Sequence, residues 1–194
     1  PNAKIAGWIK ELWVGPPYDY EHPKHKARIK FLNECDVVVT NRPEPKEHQQ
    51  IADSIDKSFN FVPIPVDVDY LYDIPIRFKP LQSGQKFDYM PQKEFISNWS
   101  SCAFHFNLDP VDYFPGNQCS LVAATGTVNI GGVNDYHHIL FPETATCDLK
   151  VLENKVDEYI NNPEKHLQAI HYAWGKVNEV FSYNAVRQKI EDMI

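Results

Sequence analysis

The chain has 194 residues, 43% of them hydrophobic and 13% aromatic, enough to pack one domain or two small ones. A formal net charge of −7 argues against nonspecific nucleic-acid binding, and no apolar run approaches the length of a membrane span. Cys35, Cys102, Cys119 and Cys147 are far apart with no Cys-x-x-Cys pair, which predicts reduced, buried thiols in a cytoplasmic protein rather than disulfides or a zinc site. Pro1, with no methionine or apolar leader before it, reads as a processed or trimmed start without a signal peptide.

In chain order, Lys4–Ile9 is a candidate strand, and Glu11–Pro23 is loop-like around Gly15-Pro16-Pro17. Lys24–Glu34 places Ala27, Ile29, Leu32 and Cys35 near helical spacing, and Asp36–Thr40 follows as a strand. Pro45 suits the first position of a helix with Ile51 and Ile55 on its apolar stripe. Phe59–Val66 reads as a strand at an edge or strand end, because Pro63 and Pro65 cannot donate to a ladder. Asp67–Gln85, with Pro75, Pro80 and Gly84, is the best linker candidate. Lys86–Met90 is a short strand, and Pro91 starts a helix over Gln92–Trp99.

The most informative run is CAFHFNLDPVDYFPGNQCSLVAATGTVNIGG, Cys102 to Gly132. Cys102–Leu108 is apolar nearly throughout, as a buried parallel strand is. Asp109 to Gly116 breaks the strand, Asn117–Thr125 is a short helix with Gly126 at its C′ position, and Thr127–Ile130 is the next strand. A loop that delivers Gly116, Asn117 and Gln118 to a helix start aims backbone N–H groups at whatever lies above the sheet, which suits a phosphate. The plainer reading is an ordinary strand-to-helix turn capped by Asn117 or Gly116. Gly131-Gly132 reads either as a close approach to a ligand or as a turn that needs positive φ. Asp112, in the loop over the strand end, is a candidate hydrogen-bond acceptor for sugar hydroxyls, and Asp109 reads as a solvated acid.

Downstream, Val151–Asn161 is a helix, Asn162-Pro163-Glu164 a break, and a longer helix runs to about Phe181 with Leu167, Ile170, Trp174, Val177 and Phe181 at three-four spacing. Val186, Ile190 and Met193 repeat that spacing on the last helix. Strands alternate with helices, which predicts an α/β protein with a Rossmann-like parallel sheet flanked by helices.

Several other residues carry chemistry with a plainer alternative. His105 lies inside an apolar strand and reads as a satisfied core histidine. Asp135-Tyr136-His137-His138 resembles a metal site, but adjacent histidines on an extended chain diverge and zinc spacings are absent, so no metal is expected. His22, Lys24, His25, Lys26, Arg28 and Lys30 form a basic cluster that reads as a solvated helix face. No Gly-x-Ser-x-Gly elbow or Walker loop is present.

The run from Gly116 through Leu121-Val122-Ala123-Ala124-Thr125-Gly126-Thr127-Val128 to Gly131-Gly132 resembles the donor-binding segment of GT-B glycosyltransferases of the group-1 type. Cys35–Thr40 and Val62–Asp69 resemble the end of that family's N-terminal domain, and the C-terminal helices through Ala173-Trp174 and Phe181-Ser182-Tyr183 resemble its close. The resemblance implies a partial or reduced GT-B-like chain: a Rossmann-like unit over 1–69, a linker over 70–85, and a donor-binding-like unit over 86–194. It implies transfer of a sugar from a nucleotide-diphosphate sugar to the hydroxyl of a carbohydrate or other acceptor, with no cofactor or metal. Its donor-binding residues would be Asp112, Gly116, Asn117, Gln118, Gly131 and Gly132. No catalytic residue is assigned.

The family's two glutamates flanking the glycine loop fall at Leu121 and near Tyr113, beside Asp112, so the ribose-binding one is missing. The stretch Asp69–Lys86 is also short for a complete donor domain. Both departures favour the alternative of a noncatalytic Rossmann-like binding or interaction module. A third reading is an assembly subunit using Trp8, Trp13, Tyr18 and Tyr20.

Overall fold

The structure is a computed structural model that describes residues 6–9, 23–41, 55, 57–68, 92–108 and 118–193. It is a mixed α/β protein whose residues fall into two compact units, Pro1–Pro63 with Val186–Ile194, and Ile64–Ala185. The anticipated helix after Pro45, the linker over 70–85 and the strand Lys86–Met90 lie outside the described residues.

In the first unit, β1 (Ala6–Ile9), β2 (Val37–Thr40) and β3 (Phe59–Phe61) form a parallel sheet with β2 in the middle. The register pairs Trp8 with Val39 and Val39 with Asn60. Helix α1 (Pro23–Glu34) precedes β2. Successive side chains on a strand face opposite ways, and β2 uses both. Val38 packs with Leu32, Ile55, Ile29 and Phe59, and Val39 packs with Val62, Val186 and Met193. Two buried faces explain why Val37–Val39 is an unbroken apolar run. On α1, Lys26 and Lys30 are exposed, as a solvated basic face requires, and Ala27 is exposed too.

The strand expected over Phe59–Val66 stops at Phe61. Pro63 and Pro65 have no N–H to donate, so the ladder cannot continue. Val66 instead makes a parallel bridge with Ser182, and its N–H bonds the Phe181 carbonyl at 2.8 Å. Residues 64–68 therefore belong with the second unit.

That unit contains α2 (Gln92–Ser101), β4 (Phe104–Asn107), α3 (Gln118–Ala124), β5 (Val128–Gly131), α4 (Asp135–Leu140), α5 (Leu149–Asn161), α6 (Pro163–Lys176) and a π-helical turn at Val177–Phe181. Helix α7 (Tyr183–Met193) follows. β4 and β5 pair in parallel across α3, with Phe104 opposite Val128 and Asn107 opposite Gly131. α3 ends in a Schellman arrangement: Gly126, at φ 70°, donates to the Ala123 carbonyl, and Thr127 donates to that of Val122. Asn162 closes α5 and caps α6, accepting from the Lys165 N–H at 3.1 Å, with Pro163 at the first position.

Cys119, Val122, Ala123, Val128, Ile130, Tyr136, Leu140, Ile170, Ala173, Val177 and Phe181 form the buried centre of this unit. Tyr136 meets Phe181 edge-to-face at 4.7 Å, and its hydroxyl accepts the Ile64 N–H at 3.1 Å. Three expectations are corrected. Phe106 and Leu108 are 54% and 53% exposed although they share the face of Phe104, because the cover that Tyr159 and His166 give Phe104 is confined to the start of β4. Asp135–Leu140 is a helix rather than extended chain, because the Asn134 side chain accepts from the N–H groups of Tyr136 and His137. Ile190 is 39% exposed, on a helix that buries only Val186 fully. Among the described residues, no helix is long and apolar enough to cross a membrane.

Phe181→Ala should cost about 3–5 kcal/mol and Tyr136→Phe about 1 kcal/mol in urea unfolding of the whole chain. A loss below about 1 kcal/mol for Phe181→Ala would contradict its central position.

Candidate functional site

In open α/β sheets, ligands sit beyond the carboxyl ends of the strands. Leading from the second residue pair of β4 and β5 toward that end, the structure places a chain of side-chain hydrogen bonds. Asn129, fully buried on β5, donates from Nδ2 to the Gly131 carbonyl at 2.7 Å, which turns its Oδ1 toward His105. His105 Nδ1 lies 2.8 Å from that oxygen, and His105 Nε2 lies 3.0 Å from Nε2 of Gln118, the exposed first residue of α3. An amide oxygen only accepts, so Nδ1 carries the proton and Nε2 accepts from Gln118. The imidazole is neutral in this arrangement. Burial lowers the His105 pKa, and the bond to Asn129 opposes that shift only in part. The Trp99 ring packs edge-on against His105 at 5.4 Å.

The glycine pair ends β5 at φ 93° for Gly131 and 83° for Gly132, the backbone region that favours glycine. A Cβ on Gly131 would strike the Asn107 carbonyl oxygen, and one on Gly132 would lie 2.6 Å from His137 Nε2. Gly131 also spends its N–H on the Thr144 carbonyl at 3.0 Å. The two glycines thus admit the protein's own Asn107 backbone and His137 imidazole. Asn107 Nδ2 lies 3.4 Å from Nε2 of the buried His137, so the second polar contact of this edge again joins an amide to a histidine.

Of the six anticipated donor-binding residues, Gln118, Gly131 and Gly132 lie along this edge, while Asp112, Gly116 and Asn117 fall outside the described residues. His105 has both ring nitrogens engaged, as expected of a satisfied histidine, but its Gln118 contact is exposed. Asn129 and Asn107 escaped the sequence reading because their partners are 24 and 30 residues away. The alternation in TVNIGG was the available signal: a lone polar residue between buried valine and isoleucine must have a partner.

In the first unit, Asn41 follows β2, is fully buried, and its side-chain amide meets no hydrogen-bond partner among the described residues. Among the described residues, no group of three or more His, Cys, Asp or Glu side chains is placed to hold a metal. All four cysteines are free thiols; Cys35 and Cys119 are buried, and burial raises the Cys119 pKa. No protein-family model matches the chain, and no curated protein matches it.

Two outcomes follow for this edge. Gly131→Ala should destabilise by more than about 1 kcal/mol in urea unfolding, since positive φ and the Asn107 carbonyl both oppose a methyl group. His105, with its folded pKa below the ordinary 6.5, contributes stability that is complete above about pH 6.5 and declines as pH falls toward the lowered value. His105→Asn should therefore show a smaller fall in Tm between about pH 7 and pH 5 than the parent. An identical fall would place the acid sensitivity elsewhere.

Proposed function

We propose that the chain is a GT-B-like glycosyltransferase unit that moves a sugar from a nucleotide-diphosphate sugar to an acceptor hydroxyl. One observation supports the reading: the neutral Gln118–His105–Asn129 chain runs from the second residue pair of the parallel β4–β5 strands to the start of the helix that follows β4. It holds the exposed Gln118 amide in place while leaving that amide one N–H and its oxygen for a ligand. Fixed, uncharged donors and acceptors suit ribose and sugar hydroxyls, which both donate and accept.

In this reading the backbone N–H groups of Gly116, Asn117 and Gln118 take the pyrophosphate charge, and Asp112 accepts from the sugar hydroxyls. The C1–O bond to the diphosphate breaks, the acceptor oxygen bonds C1, and the acceptor proton leaves to a base that no residue here is assigned to be. Gly131 and Gly132 serve by shaping the edge, since Asn107 and His137 already fill the space beside them.

A noncatalytic binding module is the second reading. It is favoured by Leu121, half-buried on α3 where the family's ribose glutamate aligns.

Thermal-shift titration with UDP, GDP and their sugar conjugates, paired with an assay of nucleotide release, separates the two readings. A Tm rise selective for one nucleotide, reduced in Gln118→Ala, together with turnover, is the expected result. A selective rise without turnover favours the binding module. No rise with any of them overturns the transferase reading.

A further inference from the structure

A cavity lies in the Ile64–Ala185 unit, beside the segment that follows α4. It has a volume of about 360 Å³ and is bounded by residues 140–144, α5 and α6. This is the lower end of the size range for small-molecule sites. Two helical stripes line it: Lys155, Glu158 and Tyr159 on α5, and Lys165, Gln168 and Tyr172 on α6. The three-four spacing of each stripe puts its side chains on one face of its helix.

The charges in the cleft are already matched. The Lys155 ammonium donates to Glu143 Oε2 at 2.7 Å and to Glu158 Oε2 at 2.7 Å, and Lys165 bonds the other oxygen of Glu158. These bonds raise the Lys155 pKa, Glu143 contributing most, and hold Glu158 down at about 2, Lys155 contributing most. Tyr159 is buried against this network, and burial pushes its hydroxyl up to about 12. A phosphate would have to take the ammonium groups from their carboxylates, and a divalent cation the reverse. Two cations and two anions leave no net charge to attract either.

What remains is a dense set of neutral and paired donors and acceptors beside aromatic surface. Tyr172 is 47% exposed on the rim. Gln168, one turn before it, makes no side-chain hydrogen bond among the described residues and offers both a donor and an acceptor. A sugar ring has apolar C–H faces for an aromatic ring and hydroxyls that donate and accept at once.

We propose that this cleft binds a neutral saccharide, its ring laid on Tyr172 and its hydroxyls bonded to Gln168, Glu143 and Lys165. The cleft shares Thr144 with the sheet edge, but the proposal does not rest on the transferase reading.

The test is amide-resolved NMR titration of the full chain with maltotriose, cellotriose and chitotriose, none of which contains a nucleotide. Saturable millimolar shifts from at least one of them at Gln168, Ala169 and Tyr172 are expected. Binding should weaken about tenfold in Tyr172→Ala, fall in Gln168→Ala, and persist in Tyr183→Ala, whose exposed ring lies outside the cleft. The proposal is overturned if no trisaccharide shifts those amides, if Tyr172→Ala binds as the parent does, or if inorganic phosphate saturates the cleft and the sugars do not.

Discussion

The Asn129 side chain organises the region on which the functional reading depends. It is fully buried in a short parallel pair, where an unmet amide would cost about 1–3 kcal/mol. Its N–H and its oxygen are both met, the first by the Gly131 carbonyl and the second by His105. The backbone carbonyl of the same residue accepts from the Thr144 hydroxyl, and Thr144 in turn accepts the Gly131 N–H. One residue thus ties β5 to β4, to the glycine pair and to the segment after α4. The tautomer of His105 follows from that bond, and the hold on Gln118 follows from the tautomer.

Much of this architecture could be read from local signals. Gly126 at a helix end, Asn162-Pro163 between two helices and the apolar run Val37–Val39 are decided by nearest neighbours, and each behaves as its chemistry requires. The misses have a common cause. Val66 found its partner in Ser182, and Phe106 and Leu108 lack burial because α5 and α6 cover only the Phe104 end of their shared face; neither is visible in a window of ten residues. The helix at Asp135 is set by its cap, since Asn134 with an acidic residue after it is a helix start. The glycine pair has the positive φ that one of its two sequence readings requires, and the groups that come close to it are Asn107 and His137 of the protein itself.

The polar groups of the Ile64–Ala185 unit share a character. At the sheet edge, amides pair with imidazoles; in the cleft between α5 and α6, ammonium groups pair with carboxylates. Each arrangement is internally balanced, so neither offers free charge to a ligand. Such balanced surfaces suit a ligand held by several directional hydrogen bonds rather than by one strong ion pair. The chain's excess of acidic residues therefore leaves no imprint on these two sites.

In the proposed reading the Gln118–His105–Asn129 chain forms the ligand face of the parallel pair. The most direct measurement is the imidazole nitrogen NMR spectrum of His105, recorded free and with saturating UDP or GDP. The expected result is a neutral ring protonated on Nδ1, a pKa below 6.5, and a change at Nε2 when one nucleotide binds through Gln118. A ring protonated on Nε2, or a spectrum indifferent to both nucleotides, would contradict it.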